Sequence, residues 1–373
     1  MPTSTQPRRI PHAEPPAQFK TKQIRILDAE VDSLIRVKRA RDTFSVSGTG
    51  LTVAVLDTGL RTTHVDFAGR VRAQRNFTGD NGGDENNATD GNGHGTNVGG
   101  IIVANGNHVG IAPNAGIVPL KVLSNSGGGS FDAVDKALQW VLDNRTTFNI
   151  TAVSLSLGDQ SNQTDDAPHE SSDTRRLIGG LRDLDVPVLV AAGNDYFTFR
   201  QQGMSFPAIL RETISVSAVY DANEGGFAYA SGAEAFSTGA NRITPFAQRL
   251  HEEVNSATRT DIFAPGAPVT SSGNETDVGE SVQQGTSQAT PVATGVILLM
   301  QEFFFRTTGR MPTVDTLVTC LRKGGVLTND GDDEDDNVPH TGKNFLRIDA
   351  LSALDAVRRH LQNELLRTRA AFR

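Results

Sequence analysis

The stretch Leu51-Thr52-Val53-Ala54-Val55-Leu56-Asp57-Thr58-Gly59 decides the fold class. Its apolar run does not alternate with polar residues, as expected of a strand covered on both faces, and it stops at Asp57. Similar short apolar runs recur at 116–123, 152–157, 186–192 and 213–219. Helical periods lie between several of them. One is carried by Phe131, Val134, Leu138, Val141 and Leu142 behind a Ser130 cap, and another spans 174–184. Alternating strands and helices predict an α/β fold, a mostly parallel, doubly wound sheet with helices on both faces. Sites in such sheets form beyond the carboxyl ends of the strands, where Asp57 and Asn194 are expected to stand.

The chain of 373 residues is long enough for one large α/β domain or two smaller ones. The net charge is −8, but residues 1–45 carry nine Lys/Arg against five Asp/Glu, leaving 26 against 38 for the rest. An acidic body offers no basic face to phosphates, so nucleic acid is not expected as a partner. Cys320 is the single cysteine, which excludes an intrachain disulfide framework. Beside Leu317 and Leu321 in an expected helix over 313–323, it reads as a small buried hydrophobe. The longest apolar run, 292–305, is interrupted by Thr294, Gln301 and Glu302, so no membrane span is expected. Residues 1–30 lack the apolar core of a signal peptide, which points to the cytoplasm, or to secretion if processed segments are absent from the sequence. Pro2, Pro7, Pro11, Pro15 and Pro16 mark 1–22 as an extended leader, 23–45 reads as a helical segment, and 46–373 as the main domain closed by an amphipathic helix over 349–367.

The stretch Gly285-Thr286-Ser287-Gln288-Ala289-Thr290-Pro291 opens a long apolar helical period through Phe305. Ser287 at its mouth either caps the helix or is a nucleophile using the positive end of the dipole. Between the first two strands, Asp90-Gly91-Asn92-Gly93-His94-Gly95-Thr96-Asn97 rings a histidine with glycines that admit close backbone approach. After the fourth strand, Ala191-Ala192-Gly193-Asn194 ends in an amide that is either a turn residue or a donor to a developing oxyanion. Together Asp57, His94, Asn194 and Ser287 supply a carboxylate, an imidazole, an amide donor and a hydroxyl, one of each group that Ser–His–Asp acyl transfer needs.

At Val55-Leu56-Asp57-Thr58-Gly59, Gly93-His94-Gly95-Thr96, Ala191-Ala192-Gly193-Asn194 and Gly285 to Pro291 the chain resembles the subtilisin-like serine proteases, and in layout the intracellular subtilisins. The resemblance extends over about residues 45–360 and implies a serine endopeptidase needing no cofactor for catalysis. Ser287 would attack the carbonyl, His94 serve as base and then acid, Asp57 orient His94, and Asn194 with the Ser287 N–H hold the oxyanion. It also implies that polypeptide substrates lie extended along Gly127-Gly128-Gly129, with Ser156-Leu157-Gly158 and Ala192-Gly193 walling the pocket for the residue before the cut.

Asn97 stands where the family usually has a second histidine, and Gln288 where it usually has methionine. Asp159 replaces a common glycine and, with Asp165, Asp166 and Asp195, suggests a preference for basic side chains before the cut. Structural calcium, common in the family, has candidate ligands in Asp80, Asp84 and Asp90. The segment between Ala104 and Gly110 is short for the family's strong calcium site, and the acidic run 330–336 reads as a solvated loop. Arg9-Ile10-Pro11-His12 partly resembles the segment that covers the cleft in intracellular relatives, so the leader either holds the protein as a zymogen until trimmed or is a disordered tail. Two rivals are a catalytically silent relative that binds peptides, and a nucleotide-binding α/β protein. The latter lacks a phosphate loop after its first strand.

Overall fold

The structure is a computed structural model that describes residues 9–10 and 30–371. The rest of the leader, including Pro11 and His12, and residues 23–29 of the expected helical segment lie outside the described residues.

The nine strands of the main sheet are β1 (Thr52–Asp57), β2 (Arg75–Asn76), β3 (Gly116–Lys121), β4 (Ile150–Leu155), β5 (Val188–Ala191), β6 (Ile214–Tyr220), β7 (Ile262–Ala267), β8 (Val326–Asn329) and β9 (Asn344–Arg347). Their order is β8-β9-β7-β6-β5-β4-β1-β3-β2, with every neighbouring pair parallel except β8 with β9. The expected α/β class is therefore the observed one. Alternate residues of β1 explain why the run is apolar throughout: Val53 and Val55 join the core beneath helices His94–Val103 and Thr286–Thr308, while Ala54 and Leu56 join the core beneath Phe131–Phe148 and Asp173–Asp183. Each fully buried Val or Leu contributes roughly 1.5–3 kcal/mol, so both faces of the sheet drive folding.

Local signals start and stop the helices where expected. Ser130 accepts from the Ala133 N–H at 3.3 Å, Ser172 from Arg175 at 3.1 Å, and Thr313 from Thr316 at 3.1 Å. Cys320 is buried on the Val314–Lys323 helix, and burial pushes its thiol up to about 11, so it behaves as an inert hydrophobe.

Two expectations change. The helical segment before residue 45 is two helices, Glu30–Ile35 and Val37–Phe44, parted at Arg36 in the left-handed conformation (φ 55°). The Arg36 guanidinium forks onto Asp349, with both nitrogens 2.7 Å from carboxylate oxygens, a tertiary anchor that no local period can reveal. Ser287 does not cap its helix. Gly285 holds the cap position, and Ser287 is the second helical residue.

Outside the main sheet, Arg9–Ile10 pairs antiparallel with Gly129–Ser130, with Ile10 opposite Gly129. No helix of the described residues is long and apolar enough to cross a membrane.

Candidate active site

Asp57 ends β1, and His94 opens the His94–Val103 helix that follows. The two meet through His94 Nδ1 and Asp57 Oδ1 at 2.7 Å, with both side chains buried. The approach depends on Gly95: a Cβ there would lie 2.2 Å from the Gly59 carbonyl and 3.1 Å from Asp57 Oδ1. Burial pulls the His94 imidazole down, but the charge and hydrogen bond of Asp57, with Asp90 behind it, more than offset this and leave its pKa raised.

Asp90 is the knot under this pair. One of its oxygens accepts from Thr58 Oγ1 (2.9 Å), Asn92 N (2.9 Å) and Gly93 N (2.8 Å), and the other from Thr96 N (2.9 Å) and Thr96 Oγ1 (2.7 Å). Burial raises its pKa, yet these donors outweigh burial and hold it low. Thr58 in turn accepts from the Gly95 N–H at 2.8 Å, tying the end of β1 to the first turn of the histidine helix.

Ser287 sits in the first turn of its helix. Pro291, four residues on, has no N–H to offer the Ser287 carbonyl, and the Ser156 hydroxyl supplies the bond instead at 2.7 Å. The Ser287 hydroxyl donates to the Ser156 carbonyl at 3.3 Å. The expected pocket wall 156–158 is thereby locked to the serine. Asn194, just past β5, has its side-chain oxygen fixed by the N–H and hydroxyl of Thr286, both at 2.9 Å. That anchoring turns the amide nitrogen toward Gly285, whose Cβ position is 3.2 Å from it.

The two expected walls are joined by residues the sequence did not single out. Ser205 donates its N–H and hydroxyl to the Ala192 carbonyl at 2.9 and 3.1 Å, while Phe206 exchanges bonds with Asp159. Of the expected substrate edge, Gly127 is buried and Gly129 is bridged to Leu123 on one side and to Ile10 on the other. Of the acids invoked for a basic preference, Asp166 is instead buried in ion pairs with Arg211 at 2.6 Å and Arg175 at 3.2 Å, and Asp165 accepts from Ala167 N at 3.0 Å. Asp159 accepts from the Ser161 and Phe206 N–H groups at 3.0 and 3.1 Å.

The candidate calcium ligands accept hydrogen bonds from the protein itself. Asp90 is saturated, Asp80 accepts from Asn125 N at 2.6 Å and pairs with buried Lys121 at 3.3 Å, and Asp84 accepts from Asn86 N at 2.9 Å. Near the short 104–110 loop, Asp66 is likewise filled by Asn107 N (2.6 Å), His108 N (3.0 Å), the His108 ring (2.7 Å) and Ser272 Oγ (2.6 Å). Burial opposes these bonds, but together they pull the Asp66 carboxyl down to about 2. Among the described residues, the carboxylates that converge within 4.8 Å are Asp332, Asp333 and Glu334, an exposed to half-buried group in the acidic loop.

A parallel α/β sheet with a carboxylate-held histidine at one helix start and a serine in the first turn of another carries the groups a serine hydrolase uses. The sequence profile of the subtilase family, peptidase S8, matches residues 48–333, and the chain belongs to that family. Its relatives include the major intracellular serine protease of Bacillus subtilis (strain 168), 30% identical over 281 residues covering 74% of this chain and 76% of that protein. The intracellular serine protease of Paenibacillus polymyxa is 30% identical over 260 residues, 68% of each chain. Subtilisin DY of Bacillus licheniformis is 28% identical over 307 residues, 81% of this chain and 91% of that protein. The protein is a serine-type endopeptidase that needs no cofactor for catalysis and acts on polypeptides.

Proposed function

We propose that Ser287, His94 and Asp57 form the triad of this peptidase, in a domain spanning 46–373 that works inside the cell. The observation that carries it is the buried 2.7 Å contact of His94 Nδ1 with Asp57 Oδ1. It fixes the proton on Nδ1 and leaves Nε2 as the basic nitrogen. Ser287 Oγ attacks the carbonyl carbon of an extended peptide as its proton passes to His94 Nε2. The Asn194 amide and the Ser287 N–H stabilise the oxyanion, and the leaving amine takes the proton from His94. Water then gives a proton to His94, attacks the acyl carbon and releases the new carboxyl terminus, while Ser287 regains its proton.

A base with a raised pKa shapes the pH profile. His94 must be neutral to act, so kcat/KM is expected to rise with pH through a single ionisation above the ordinary imidazole value of about 6.5. An onset at or below that value in a peptide assay contradicts the role assigned to His94.

The leader is the second part of the proposal. The pairing of Arg9–Ile10 with Gly129–Ser130 supports a leader lying along the edge where substrate would add as a strand. A proline next to Ile10 suits a segment that resists cleavage. Deleting residues 1–22 is expected to raise kcat/KM on a small peptide at least tenfold, and the excised peptide added back should compete with substrate. Equal activity with and without the leader contradicts inhibition.

A further inference from the structure

Gln288 follows the nucleophile, is wholly buried, and carries a side-chain oxygen with no hydrogen-bond partner among the described residues. Two backbone carbonyls dictate which way that oxygen faces. Asn97 Nδ2 donates to the Ser281 carbonyl at 3.1 Å, and Gln283 Nε2 donates to the Gly93 carbonyl at 3.3 Å. A carbonyl only accepts, so both amides turn their oxygens toward Gln288, which must answer with nitrogen: Nε2 donates to Asn97 Oδ1 at 3.3 Å and to Gln283 Oε1 at 3.2 Å. Gln288 Oε1 is left facing Gly285.

The space it faces is bordered by Asn194 and by the backbone of Ser287. The point where a Cβ on Gly285 would sit is 3.1 Å from Gln288 Oε1, 3.2 Å from Asn194 Nδ2 and 3.5 Å from Ser287 N. Two donors suited to an oxyanion and one acceptor therefore border the same small volume. The Gln288 amide nitrogen ties the group to the helix that carries His94 through Asn97, and its other partner, Gln283, reaches the residue before that helix, Gly93.

We propose that Gln288 Oε1 is a catalytic hydrogen-bond acceptor for the group exchanged at the acyl carbon: the N–H of the residue after the cut, and then the attacking water. In deacylation one water proton goes to His94 Nε2 and the other is held by Gln288 Oε1, which aims the oxygen lone pair at the acyl carbon. The Ser287–acyl bond breaks as the proton on His94 returns to Ser287 Oγ. Gln288 thereby orients the entering group and gains no charge. The proposal rests on Ser287 being the nucleophile, and its test separates the two.

The experiment uses the leader-deleted chain with an activated p-nitrophenyl ester, and with an amino acid amide as competing nucleophile. The initial burst counts acylated sites, and rates are expressed per site. Gln288→Met keeps length and removes the acceptor. It is expected to slow deacylation about tenfold, the effect of one lost hydrogen bond to a reacting group, and to shift product several-fold from hydrolysis toward amide transfer, because the amine keeps its other contacts. Asn97→Ala, which leaves Gln288 in place but frees its anchor, should shift both in the same direction by less. Gln288→Met with wild-type deacylation and partition per site overturns the proposal, as does unchanged partition in Asn97→Ala if Gln288→Met fails to fold. A wild-type chain giving no burst, or a burst that survives Ser287→Ala, overturns the nucleophile assignment instead.

Discussion

Ser287→Ala is expected to lower kcat for peptide hydrolysis by roughly 10⁶, as loss of the nucleophile does in subtilisin. Without the hydroxyl there is no acyl-enzyme, and only the donors around Gly285 and substrate binding remain. The fold should survive. The Ser287 hydroxyl makes one long bond, 3.3 Å to the Ser156 carbonyl, whereas the 2.7 Å bond from Ser156 to the Ser287 carbonyl involves backbone that alanine keeps. A thermal melt should therefore shift by no more than about 1 kcal/mol, the net worth of an ordinary hydrogen bond. Turnover of a peptide substrate within tenfold of wild type would remove Ser287 from the chemistry.

Asp57→Asn is expected to cost roughly 10⁴ in kcat near neutral pH, again a size known from the Ser–His–Asp enzymes, subtilisin among them. Asp57 Oδ1 accepts from both the His94 ring and the Thr58 N–H, each at 2.7 Å. An asparagine that keeps its oxygen at that corner retains both bonds but loses the negative charge that stabilises the imidazolium, whereas one that turns its amide nitrogen there makes Nδ1 an acceptor and puts the proton on Nε2. The imidazole then has no lone pair for the serine proton. The pH dependence moves as well. Asp57 is the main influence raising His94 against burial, so the residual activity should begin at lower pH than in wild type. The two changes have opposite consequences on the acid side, since the ceiling falls while the onset moves to lower pH. Circular dichroism and a pH–rate profile on the same preparation check both, and an unchanged onset would mean that His94 is not held by Asp57 in solution.

The architecture was legible because both faces of β1 are buried, so neither face needs polar residues and the run from Leu51 to Leu56 carries no alternation. The cap at Ser130 was legible for the same local reason, because it acts within three residues of its own position. Arg36 was not, because its partner Asp349 lies at the far end of the chain, and a side chain so anchored overrides the helical period around it. The bonding of the candidate calcium ligand Asp90 was hidden on the same ground. Asp90 offers oxygens in a Gly/Asn-rich loop, but whether they face a cation or backbone N–H groups depends on how the loop closes over Thr58 and Thr96, and it closes on the protein.

The site shows the contrast within a few residues. The positions of Asp57, His94, Asn194 and Ser287 follow from motifs, each at a strand end or helix start. Asn97 and Gln288, by contrast, could be read only as two separate departures from the family's habit. Their direct contact at 3.3 Å, between helices far apart in sequence, makes them one arrangement. Ser205 and Phe206, which join the two pocket walls, carry no motif and are placed by their bonds to Ala192 and Asp159.

The most direct measurement is intact mass after treatment with a fluorophosphonate, which labels only an activated serine, applied to the full chain, the leader-deleted chain and Ser287→Ala in the leader-deleted background. One adduct on the leader-deleted chain, none on Ser287→Ala, and slower labelling of the full chain is the predicted result. Folded protein that takes no label in any form, or label that persists in Ser287→Ala, would contradict an active triad at Ser287 and leave a peptide-binding cleft without the chemistry.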